Sequence, residues 1–164
     1  VRMSTFGKVV AGVVLAPIIV LVAGVGGCEA RKAYYDWQVR EMCKKDGGIT
    51  VYEHINMSRE VAASMGRVGG HLSITIESAA PANDIAFLRG EPNVLREGEP
   101  SIRRHEQAIV RRSDGKVVGS VVRYARAGGD FPFTASNPSV FSCPDWPQYY
   151  AEIAKIFVVK EGFK

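Results

Sequence analysis

From residue 9 to residue 27 the chain carries no charged or strongly polar side chain, and this run limits what the remainder can be. A stretch so long and uniform is an export signal, a membrane span or, less compatibly with its length, a buried core helix. Its flanks fit export: Arg2 and Lys8 precede it, and small residues close it in Val25-Gly26-Gly27-Cys28. As a helix the run would extend roughly 28 Å at about 1.5 Å per residue, near the hydrocarbon thickness of a bilayer. Length therefore leaves a retained span open. Pro17 and the glycines at 12, 24, 26 and 27 lower helix propensity, but membrane helices tolerate both residue types. Arg31, Lys32, Arg40, Lys44 and Lys45 follow the run closely, and in a retained span that bias would turn the domain toward the cytoplasm.

The tetrad at 25–28 resembles a bacterial lipobox, an aliphatic residue and two small ones before a cysteine. The resemblance implies cleavage before Cys28 and acylation of its thiol. Small side chains admit the peptidase to the backbone, and the diacylglyceryl group needs a sulfur nucleophile. The expected organisation is a signal peptide or membrane anchor over 1–28 and a single periplasmic domain over 29–164. Membrane lipid is an expected partner, reached through Cys28 or through the 9–27 segment. Glu29 stands where many inner-membrane lipoproteins carry a retention aspartate, which favours the outer membrane.

The composition supports a folded body: 46% of residues are hydrophobic and 23% charged, enough apolar material to exclude disorder throughout. The formal net charge is +4, and removing Arg2 and Lys8 leaves +2 on residues 29–164. Nucleic-acid binders carry a basic stripe or basic helix, so that partner class is set aside.

Three cysteines, Cys28, Cys43 and Cys143, leave one unpaired. Acylation of Cys28 would remove the remainder. Cys43 and Cys143 are then free to form one disulfide in an oxidising compartment, or to stay as separate buried thiols.

Residues 30–45 read as an amphipathic helix, with Tyr35, Val39, Met42 and Cys43 on one face and Gly47-Gly48 as its stop. Period-two alternation predicts strands over 49–55 and 72–76. Residues 79–101 are broken by Pro and Gly and predict a loop with at most a short strand near 85–89. The clearest local signal lies at 104–126, two strand-like runs around Ser113-Asp114-Gly115-Lys116, where Asp-Gly suits a tight hairpin. Residues 128–142 read as a loop. Asp145-Trp146-Pro147-Gln148 opens a second helix, which Tyr149, Ile153, Ile156 and Phe157 continue. The expected fold is α+β: an antiparallel sheet of about four to five strands, packed by an N-terminal and a C-terminal helix and preceded by the apolar segment.

Cys43-Lys44-Lys45-Asp46-Gly47-Gly48 opening the first strand, Gly128-Gly129-Asp130-Phe131-Pro132 and the late Cys143-Pro144 resemble a group of small, uncharacterised proteobacterial envelope proteins with an N-terminal signal or anchor. The resemblance covers most of 28–164. It implies periplasmic exposure and pairing of Cys43 with Cys143, and it implies no activity.

Catalytic signals are sparse. His54, His71 and His105 have no metal-ligand spacing, so no metal or other cofactor is expected. No Gly-x-Ser-x-Gly elbow or Cys-x-x-Cys occurs. The acid pairs Glu97/Glu99 and Asp36/Glu41 read as solvated faces. Phe131, Phe133, Phe141 and Trp146 cluster in the late loop and are either a binding patch or a cap on the sheet. The expected role is a tethered, non-catalytic domain that binds another envelope component. A single-span subunit of a membrane complex, or an envelope enzyme assembled around His54, His71 or His105, is the alternative.

Overall fold

The computed structural model describes residues 5–79, 85–130 and 138–160; within the first helix its side chains are described from residue 19, residue 21 apart. In chain order the elements are α1 (Thr5–Asp46), β1 (Gly48–Val51), β2 (Ile55–Ser58), α2 (Arg59–Ser64), β3 (Arg67–Val68), β4 (His71–Leu72) and β5 (Thr75–Ile76). Then follow β6 (Ala86–Arg89), β7 (Pro92–Arg96), β8 (Ser101–Arg111), β9 (Val117–Ala127), β10 (Val140–Cys143), α3 (Trp146–Ala154) and β11 (Phe157–Lys160). The class is α+β, as the alternation predicts.

The β8–β9 hairpin is the axis of the fold, eleven residues in each strand. Its turn forms where Asp-Gly stands: Gly115 takes φ 69°, and Asp114 accepts from the Lys116 amide at 3.1 Å. The Arg111 guanidinium, with that amide, holds the Asp114 carboxyl down at about 2. Two short strands share each outer edge of the hairpin. β1 and β10 pair antiparallel with successive stretches of β9, and β6 and β7 do the same along β8.

The sheet corrects the antiparallel expectation. It has seven strands and is mixed, because β5 runs parallel to β6. A separate two-stranded sheet pairs β11 parallel with β2. Parallel pairs need a crossover between their strands, and such long-range returns leave no mark on local periodicity. The expected strand at 49–55 divides at Tyr52 and Glu53, whose amides both donate to Val118 O. There the β8–β9 register shifts between Ile109 and Val110, so the neighbouring strand leaves the ladder. Over 72–76 only two-residue pieces form. The second helix ends at Ala154, and Ile156 and Phe157 instead lead into β11.

Two cores result, one on each side of the sheet. Ile109, Val118 and Val121 face α3 through Tyr149, Ile153 and Ile156. Ile102, Val122 and Tyr124 face α1 through Val39 and Cys43. Asp145 caps α3 by accepting from the Gln148 amide at 2.9 Å, in the position expected from sequence.

The docked part of α1 follows a strict spacing. Lys32, Asp36, Val39, Cys43 and Asp46 recur at alternating intervals of four and three, and each meets the sheet side. Lys32 Nζ lies 3.3 Å from Asp130 Oδ1, Asp36 Oδ1 accepts from Arg126 Nε at 2.5 Å, and Cys43 is bridged to Cys143. Asp46 accepts from Tyr124 Oη at 2.7 Å and from Arg104 Nη2 at 3.0 Å. Burial alone would raise the Asp46 pKa, but these two donors hold its carboxyl below the usual range. Gly47 N closes the helix on Cys43 O at 2.8 Å. Asp36, expected on a solvated face beside Glu41, is therefore a half-buried ion-pair partner.

Ahead of Lys32 the helix leaves the body. Ile19, Val20 and Val22 are 64%, 72% and 63% exposed. Among the described residues, whose side chains here begin at residue 19, no helix is long and apolar enough to cross a membrane. The side chains of the first half of the apolar run, through residue 18, lie outside the described residues.

Candidate functional site

On the sheet face opposite α1, alternation brings His105 and Gln107 of β8 to one side, with Arg123 of β9 directly across from His105. The first turn of α3 lays Trp146, Tyr149 and Tyr150 over them, and Ile74, Ile76 and Leu88 complete the wall. The cavity, open on one side, measures about 260 Å³.

Arg123 lies with its guanidinium carbon 3.7 Å from the Trp146 ring centre and 5.4 Å from that of Tyr149. Its Nη1 is buried with no hydrogen-bond partner, and no carboxylate pairs with Arg123 among the described residues. Burial lowers the Arg123 pKa, yet a guanidinium stays protonated in proteins, so a partly desolvated cation remains. Tyr149 Oη donates to Gln107 Oε1 at 2.6 Å, which leaves Gln107 its Nε2 donor. Burial also pushes the Tyr149 hydroxyl up to about 12.

Burial, and then the charges of Arg123 and Arg103, lower the His105 pKa. The unfolded chain takes up this proton first as pH falls. The contribution of His105 to stability is therefore complete above the ordinary imidazole value and is lost as pH drops below it. Urea unfolding across pH 5 to 8 is expected to show stability declining at the acid end, with a shallower decline in His105→Gln. An unchanged slope in that variant would remove His105 as the cause.

Two wider clefts of about 370 Å³ lie elsewhere, one between α1 and β7 around Trp37, Met42 and Leu95, the other around Glu77 and Arg89. Neither is lined by a buried polar atom that lacks a partner. In the second, Arg89 donates twice to Glu77, at 2.9 Å each.

Of the residues singled out from sequence, Cys43 and Cys143 are bridged and His105 and Trp146 share the cavity, but the aromatic cluster of the late loop is not assembled. Phe141 is half-buried on the α1 side with the Arg40 guanidinium 4.6 Å from its ring centre, whereas Trp146 belongs to the cavity on the other side. Phe131 and Phe133 lie outside the described residues. His54 and His71 are exposed and apart from the cavity, and Cys28 is a half-exposed free thiol on α1. Among the described residues no three His, Cys, Asp or Glu side chains gather as metal ligands. Arg123, Gln107 and Tyr149 were missed. The available signal was an arginine in the middle of an apolar strand run, Val121-Val122-Arg123-Tyr124. No family model, curated protein or solved structure matches this chain.

Proposed function

We propose that the chain is a membrane-tethered, disulfide-stapled extracytoplasmic domain that acts by binding, held to the bilayer by lipid on Cys28. The contrast along α1 carries this reading. From Lys32 onward the inward positions of the helix are fastened to the body, whereas Ile19, Val20, Val22 and Val25 are exposed apolar side chains. Cys28 lies one turn ahead of Lys32, where docking stops. A lipid there would hold the body close to the membrane without disturbing its packing. The disulfide supports an oxidising compartment such as the periplasm. Glu29 in place of a retention aspartate supports the outer membrane, and the partner class is another envelope component.

A retained single span is the second reading, favoured by the unbroken course of α1 through Gly26, Gly27 and Cys28. A binding role is preferred to an enzyme built around a histidine because His105 shares its cavity with neither a carboxylate nor a serine hydroxyl among the described residues.

Intact-mass measurement on the full chain, expressed in a Gram-negative host and partitioned with detergent, tests the tether. A mature chain starting at Cys28 with added acyl mass is expected, and Cys28→Ser should lose that mass. Full-length unmodified chain in the detergent phase would replace the lipid with a span. Full-length chain in the aqueous phase would overturn the tether.

A further inference from the structure

We propose that the cavity around Arg123 binds a small organic carboxylate with an apolar body, the carboxylate meeting the guanidinium and the body lying against Ile74, Leu88 and Trp146. This adds a small-molecule ligand to the tethered binding domain proposed above and rests on that reading. Three observations converge on it. The first is an unpaid hydrogen bond: Arg123 Nη1 is buried without an acceptor, a state that proteins avoid because desolvating a donor costs free energy that nothing returns. Among the described residues the other such atom is Arg112 Nε, and Arg112 lines none of the three cavities described.

The second is the lining itself. His105, Gln107 and Arg123 offer donor groups, and among the described residues no aspartate or glutamate lines the cavity. An incoming anion would therefore meet an attractive field and would find the Arg123 fork and Gln107 Nε2 together. The guanidinium carbon lies 3.7 Å from the Trp146 ring centre, so an acceptor must approach from a side that this ring leaves open.

The third is size and polarity. About 260 Å³ lies just below the ~300–1,000 Å³ typical of pockets for drug-sized ligands, so the occupant is a small acid and not an extended chain. Ile74 and Leu88 are buried, while Ile76 and Trp146 are 58% and 51% exposed at the rim. A bare inorganic anion would leave that apolar surface uncovered.

Calorimetric titration of the detergent-solubilised full chain tests this with 3-phenylpropanoate, its neutral amide and inorganic phosphate. Saturable binding of the acid is expected, with the amide weaker by roughly tenfold or more, because hydrogen bonds to a charged group are the stronger ones. Arg123→Gln should reduce binding of the acid to the level of the amide. Arg123→Lys, which keeps the charge but loses the fork, should fall between. The comparison of acid with amide uses the unaltered protein, so it stands even if a variant fails to fold. Equal binding of acid and amide, phosphate binding as tightly as the acid, or no binding of any of the three would overturn the proposal. Acyl mass on Cys28 is read independently, so a failed ligand and a failed tether are distinguishable.

Discussion

Replacing both Cys43 and Cys143 with serine is expected to lower stability by about 4 to 5 kcal/mol, the chain-entropy value for a closed loop of this length. The bridge joins residues 100 apart in sequence, with their α-carbons 5.9 Å apart. It closes a loop that contains nearly all of the sheet, so its removal releases more unfolded-state freedom than a short loop would. Cys43 is also buried beside Val39, Ile102, Val122 and Tyr124, and a serine there would bury a hydroxyl among apolar groups. Thermal unfolding followed by circular dichroism should show a midpoint lower by roughly 10 to 20 °C. Unaltered protein in reductant separates the two contributions, because it loses the bridge without gaining hydroxyls. Cys28→Ser should leave the midpoint unchanged. A double variant as stable as the oxidised parent would mean that the packing of α1 alone closes this loop.

The features legible in the sequence were the local ones. Asp114-Gly115 specified the hairpin turn, Asp145 and Gln148 specified the start of α3, and Val39 and Cys43 identified the inward face of α1. Each is decided by side chains within about one turn of the backbone. Alternation also located β1 and the short strand β6, but other elements whose pairing depends on distant residues were not legible. β7 begins at Pro92, which punctuates a loop in isolation but is tolerated on an edge strand, and β10 exists because β9 offers residues 124–127 to it. β11 was absorbed into the helix because Ile156 and Phe157 fit a helical stripe as well as a strand parallel to β2. The cavity illustrates the same limit. Its residues come from 74–76, 88, 105–107, 123 and 146–150, and no spacing rule links them. The polar half of the α1 stripe was within reach, since Lys32, Asp36 and Asp46 share the rhythm of Val39 and Cys43. A hydrophobic template discards charged residues before their spacing is considered.

That charged half supports the second large expected effect, at Asp36. Arg126 is only 4% exposed, and among the described residues Asp36 is the carboxylate paired with it. The remaining acceptors, Gly128 O and the carbonyl and hydroxyl oxygens of Ser139, are all neutral. Asp36→Ala therefore leaves a cation buried with hydrogen bonds but no counter-charge, and is expected to cost about 3 to 5 kcal/mol in urea unfolding. The pair need not be worth that much as a pair. Asp36→Leu combined with Arg126→Met removes both charges, and should recover most of the loss because the desolvation cost of each ion disappears with it. The position of the defect gives a second readout. Asp36 lies on the N-terminal side of Cys43 along α1, so hydrogen exchange in Asp36→Ala should rise over residues 29–38, while amides beside Cys43 stay protected. A uniform rise along the whole docked helix would show instead that α1 detaches as one unit and that the bridge does not divide it.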